Sequence, residues 1–137
     1  MRIYGCDLFL LQPLTIKIDK STYLTKQFKK GDIVSACPNG FSFIGICKEN
    51  VIKRIVATEN DEIYSYMGDL YVNGEKQEDA ISVVSTFLEI EPQIVPKGEV
   101  FLLGDNRLFS IDSREYGTVP INRIGGTYRM TLFSADQ

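Results

Sequence analysis

Between Gly104 and Gly117 the chain reads Gly-Asp-Asn-Arg-Leu-Phe-Ser-Ile-Asp-Ser-Arg-Glu-Tyr-Gly, placing two aspartates, two arginines, two serines and an asparagine directly after the apolar run Val100-Phe101-Leu102-Leu103. A strand edge thus delivers a dense polar cluster, and charges at that density are costly near a core unless they satisfy one another. Bidentate Asp/Arg pairing is the usual solution; a solvated turn with incidental ion pairs is the other reading. The second chemical feature is Lys53, inside Val51-Ile52-Lys53-Arg54-Ile55-Val56-Ala57. In a strand Lys53 shares a face with Val51 and Ile55. An ammonium desolvated by apolar neighbours loses proton affinity until the amine can be neutral near pH 7, where it can serve as a general base. A surface lysine beside Arg54 is the blander reading.

Histidine is absent from the chain, which excludes Ser-His-Asp and Cys-His catalysis and nearly every zinc site built on imidazole. Cys6, Cys37 and Cys47 contain no CxxC pair and make a poor metal set. Neither a metal nor another cofactor is expected. Cys37 and Cys47 either bridge across the turn Pro38-Asn39-Gly40 in an oxidising compartment or remain buried free thiols; geometry decides between the two.

At 137 residues, with 44% hydrophobic and 24% charged residues, the chain is sized for one globular unit, residues 1–137. A net charge of -3, from 15 basic and 18 acidic residues, gives no reason to expect nucleic acid as a partner. The longest apolar stretch, around Leu8-Phe9-Leu10-Leu11, is broken by Gln12 and Pro13 and falls short of the roughly 18 residues of a membrane span. The start Met1-Arg2-Ile3-Tyr4 lacks the pattern of a signal peptide, so the chain is either soluble as encoded or trimmed of an anchor.

The elements that would position these residues read as strands, because β-branched and aromatic residues alternate with polar ones between Gly, Asn and Pro. Strands are expected at Leu14–Ile18, Asp32–Ala36, Phe41–Cys47, Val51–Ala57, Glu62–Tyr66 and Glu99–Leu103. Asp69 to Lys76 reads as a hairpin around Asn73-Gly74. After Glu99–Leu103 a loop leads to a closing strand at Ile121 to Leu132. Gln77 to Ile94 lacks a clear period and reads as a long excursion, with a weak helical pattern in Ala80 to Leu88. The fold class is all-β and mainly antiparallel.

The segment from Gly104 to Gly117 resembles the last signature box of the type I signal peptidases (the S26 serine/lysine peptidases), Gly-Asp-Asn-x-x-x-Ser-x-Asp-Ser-Arg-x-x-Gly, and fills every fixed position. The resemblance implies that Ser110 hydrogen-bonds the catalytic lysine and that Asp112 pairs with Arg114 to brace the site, with Asp105 supporting it. A second box, apolar-Lys-Arg-apolar-apolar, is similar to Val51 to Val56 and makes Lys53 the general base; the turn after it is Thr58-Glu59-Asn60-Asp61 instead of Leu-Pro-Gly-Asp. Lys30-Gly31-Asp32-Ile33-Val34 is similar to the family's Arg-Gly-Asp-Ile-Val, and Gly117-Thr118-Val119-Pro120 to its Gly-x-Val-Pro. The likeness runs from about residue 13 to 130, leaving Gln77 to Ile94 unmatched. It implies a signal-peptidase/LexA-like β-barrel or coiled β-sheet.

The nucleophile box Ser-Met-x-Pro-Thr-Leu does not occur in the chain. One register makes Ser21 the nucleophile. A competing register resembles the plasmid conjugative-transfer branch, with Cys37-Pro38 after the Gly-Asp strand, and puts Leu11, or in a looser fit Asp7, where serine belongs. The first implies a Ser/Lys endopeptidase cleaving exported precursors held as extended peptides. The second implies an inactive homologue serving as an assembly or chaperone-like factor in pilus, conjugation or secretion biogenesis. Both imply an extracytoplasmic location and a membrane surface as partner, reached through a missing or separate anchor. Self-cleaving repressors also use Ser and Lys, but the Ala-Gly cleavage pair they carry is absent here.

Overall fold

A computed structural model describes residues 15–19, 28–78 and 88–131, with only the backbone described for 15–19 and 129–131. Among the described residues the elements in chain order are β1 (Thr15–Asp19), β2 (Ile33–Ala36), β3 (Val51–Thr58), β4 (Glu62–Tyr66), β5 (Asp69–Val72), β6 (Glu75–Lys76), β7 (Gln93–Ile94), β8 (Glu99–Leu103), α1 (Ser113–Tyr116), β9 (Val119–Pro120), a 3-10 turn (Ile121–Arg123) and β10 (Ile124–Thr131). The described strands form two sheets, ordered β1-β10-β2-β3-β8-β9 and β6-β5-β4-β7, with every strand pair antiparallel. The all-β, mainly antiparallel expectation is therefore met, by open sheets and not by a closed barrel.

Two apolar clusters form, one built on the six-stranded sheet and one shared between the two sheets. Val34, Ala36, Val51, Ile55, Val100, Leu102, Val119 and Ile124 fill one; Ala57, Ile63, Leu70, Val72, Leu88, Ile90, Val95, Phe101 and Leu103 fill the other. A β-bulge in β3 joins them. Ile55 pairs with Leu102 and Ala57 with Phe101, so the extra residue Val56 lets Ile55 face one cluster and Ala57 the other. The hairpin β5–β6 turns at Asn73-Gly74, both in the left-handed region with φ of 53° and 80°, the backbone that an Asn-Gly turn supplies at low cost. Asn60, with φ 67°, takes the same conformation in the turn after β3, which accounts for a working turn there without glycine.

Three sequence expectations need correction. Phe41–Cys47 is a tight hairpin tip with a single Phe41–Cys47 bridge and not a strand. The Ser42 and Gly45 backbones close on each other (Gly45 N to Ser42 O, 2.9 Å), so the alternation there served a turn. The strand expected from Ile121 begins instead at Ile124, because Ile121–Arg123 is a 3-10 turn, and within the strand a bulge against β2 falls between Ile124 and Gly126. The polar segment after β8 contains the short helix α1, capped by the Asp112 side chain accepting from Arg114 N. The weak helical pattern of Ala80 to Leu88 lies, apart from Leu88, outside the described residues.

Candidate active site

β3 presents two neighbouring cations to opposite faces. Lys53 lies on the face of Val51 and Ile55, is only 3% exposed, and donates through Nζ to Ser110 Oγ at 2.8 Å. Arg54 lies on the other face. Its Nε and Nη2 grip both oxygens of Asp105 at 2.8 and 2.9 Å, and its Nη1 donates to Gly31 O at 2.8 Å. Lys53 and Ser110 are 57 residues apart in sequence; they meet because β8 runs antiparallel to β3 and releases the chain at Leu103, opposite Arg54.

Gly104 sits where this exit passes Lys53. A Cβ there would fall 1.9 Å from Ser110 Oγ, 2.3 Å from Ser110 Cβ and 3.4 Å from Lys53 Nζ, so only glycine leaves room for the hydroxyl and the amine to meet. From Gly104 the loop folds back on a buried carboxylate. Asp112 is fully buried and accepts from Gly104 N at 3.0 Å, from Arg114 N at 3.2 Å, and from Arg114 Nε and Nη2 at 2.8 and 2.9 Å. Arg114 Nη2 also reaches the Arg107 and Ser110 carbonyls at 2.8 and 3.3 Å. This ties the carbonyl of Ser110, and so the position of its Oγ, to the brace. Ser113 Oγ accepts from Leu102 N at 2.9 Å, and Arg107 Nε donates to Gly104 O at 2.9 Å. Burial, and then the charges of Asp112 and Glu49, push the Tyr116 phenol far above its ordinary range, so the ring beside the brace stays neutral.

Of the residues singled out from the sequence, the structure brings together Lys53 with Ser110 and Asp112 with Arg114, and pairs Asp105 with Arg54. Ser21 lies outside the described residues. The sequence reading passed over Arg54 as the clamp on Asp105, and over Arg107 and Gly104. Strand alternation carried the signal for Arg54: if Lys53 faces the core, its neighbour must seek a partner on the opposite face.

Residues 9–133 match the family model "Signal peptidase, peptidase S26", and the chain belongs to that family. It is 32% identical over 127 residues to signal peptidase I of Bacillus amyloliquefaciens, covering 85% of this chain and 63% of that protein. It is 48% identical over 75 residues to thylakoidal processing peptidase 1 of Arabidopsis thaliana, covering 55% of this chain and 22% of that one. A signal peptidase I structure from Enterococcus faecalis shares the fold with a TM-score of 0.59 at 24% identity, covering 74% of this chain and 96% of that one. The chain spans less than two thirds of the length of these two curated relatives.

Proposed function

We propose that this chain is a signal-peptidase-like serine endopeptidase in which Lys53 is the general base and Ser21 the nucleophile. The observation that carries the reading is a buried amine 2.8 Å from the Ser110 hydroxyl, on a strand whose apolar neighbours disfavour the ammonium. The neutral amine takes the Ser21 hydroxyl proton as Oγ attacks the carbonyl carbon of an extended peptide. The tetrahedral intermediate collapses with that proton passing to the leaving amine, giving an acyl-enzyme. Lys53 then deprotonates a water that releases the acid and frees Ser21. Ser110 holds the amine in place, while the Asp112–Arg114 brace holds Ser110. The site acts outside the cytoplasm, on precursors bound as an added strand. The Cys37–Cys47 disulfide suits an oxidising compartment.

One observation favours the inactive-homologue reading. β1 ends at Asp19, which pairs with Thr127; Thr127 pairs with Val34, and Val34 with Lys53. Three strand spacings, about 14 Å, separate Asp19 from Lys53, so Ser21 reaches the amine only if the chain turns back over β10 and β2. Cleavage of a precursor peptide with small residues one and three places before the cut separates the readings. Lys53→Ala and Ser21→Ala are each expected to abolish cleavage, and Ser110→Ala to reduce it. No cleavage by the unaltered chain supports the inactive homologue. Cleavage that survives Ser21→Ala but not Ser110→Ala would make Ser110 the nucleophile and overturn the assignment of Ser21.

A further inference from the structure

The four-stranded sheet turns Ile63, Leu70 and Val72 inward to an apolar cluster. Strand alternation then sends Tyr64, Tyr66 and Tyr71 to the opposite face. The register sets them side by side: Tyr64 lies across from Tyr71, Tyr66 from Asp69, and Tyr71 from Lys76. The Tyr64 and Tyr71 rings stack with centroids 5.2 Å apart, and Tyr66 meets Tyr71 at 6.5 Å and 73°. Tyr66 is nonetheless 62% exposed, as is Ile94 at 67% across from Glu62. Three tyrosines on one sheet face give a rigid platform, apolar in body and polar at the tips, of the kind that serves recognition.

Charge follows the same division of the molecule. Residues 59–94, which contain this sheet, hold nine of the chain's 18 acidic residues but only one of its 15 basic residues, Lys76. The stretch therefore carries a net charge of -8, and the rest of the chain +5. Glu62, Glu78 and Glu91 are exposed and make no salt bridge among the described residues. The single cation shows how the face receives an amine: Lys76 Nζ lies 2.7 Å from Asp69 Oδ2, on the residue paired with Tyr71.

We propose that this tyrosine face docks a lysine- or arginine-bearing segment of another protein, with a cation against the Tyr66 ring and its charge matched by the carboxylates around it. The charge excess selects the occupant. It repels nucleic acid and anionic lipid, and an uncharged apolar partner would desolvate carboxylates without compensating them. A second copy of the chain is a poor match, because the described cations of its other sheet are already engaged: Lys53 with Ser110, Arg54 with Asp105, Arg114 with Asp112, and Arg123 with the Pro38 carbonyl. The inference is independent of whether the Lys53 site cuts peptide bonds.

The test uses the whole 137-residue chain and a dye-labelled peptide of alternating lysine and glycine, read by fluorescence polarisation at low salt, with a peptide of alternating glutamate and glycine as the control. The lysine peptide is expected to bind and the glutamate peptide to stay free. Tyr66→Ala should weaken binding about fivefold and Tyr66→Phe restore it, with the melting temperature unchanged because the ring is mostly in water. Glu62→Gln combined with Glu78→Gln should weaken it as well and flatten its salt dependence. Phe43→Ala, at an exposed position of the hairpin between β2 and β3, should leave it unchanged. Equal affinity of Tyr66→Ala and the unaltered chain for the lysine peptide overturns the proposal, and so does equal binding of the two peptides. Self-association without peptide that Tyr66→Ala abolishes, seen by sedimentation, would assign the face to a second copy of the chain and overturn it too.

Discussion

The two faces of β3 treat adjacent cations in opposite ways. Arg54 is held by both oxygens of a carboxylate in a partly exposed pair, at 18% and 14% side-chain exposure, while Lys53 is buried against a neutral hydroxyl. A carboxylate fixes a positive charge and makes it structural. A hydroxyl satisfies the amine's geometry without supplying a countercharge, which is what the proposed role of Lys53 as a base asks of that contact. The partner, more than the cation, therefore separates a brace from a candidate base. The same device recurs within the loop, where the carboxylate of Asp112 is taken up by Arg114 and by backbone N–H groups.

The strongest way to break this comparison is to give Lys53 what Arg54 has. Ser110→Asp is expected to pair the amine with a carboxylate and raise its pKa. Cleavage at neutral pH should fall by about a thousandfold, with the rising limb of the pH–rate profile moving to higher pH as a neutral base demands. An unshifted profile would show that Lys53 is not the titrating group. Next in size is Asp112→Asn, which leaves a part-buried Arg114 without its countercharge and should cost about 3 kcal/mol in urea unfolding. The smallest effect is expected for Asp105→Asn. That pair is partly exposed, and Arg54 keeps the Gly31 carbonyl, so the loss should be about 1 kcal/mol, with the Lys53 pH profile unchanged. Equal losses at Asp112 and Asp105 would erase the distinction between the buried brace and the outer clamp.

Much of the fold was legible because strand alternation is local. β2, β3, β4, β8 and the Asn73-Gly74 hairpin fall close to where the apolar periodicity put them. Errors arose where one pattern serves two structures. Phe-Ser-Phe-Ile-Gly-Ile alternates like a strand but closes on itself through Ser42 and Gly45, and Ile121-Asn122-Arg123 reads as the start of the closing strand but forms a 3-10 turn before β10. The Cys37–Cys47 bond was open on sequence because spacing does not fix the approach of two Cβ atoms; the hairpin decided it. The Asp112–Arg114 pair was legible because its members stand two positions apart. Arg54 with Asp105, 51 residues apart, was not.

The amino-acid order alone thus determined the family's polar box and the all-β class and marked Lys53 as the candidate base, since each depends on residue type and on periodicities of a few positions. Tertiary structure decided which hydroxyl meets the amine among the described residues, why Gly104 must lack a side chain, and which cation receives the outer carboxylate. Those outcomes turn on the antiparallel register of β3 with β8, and register is a relation between distant segments, set by how their apolar faces pack together.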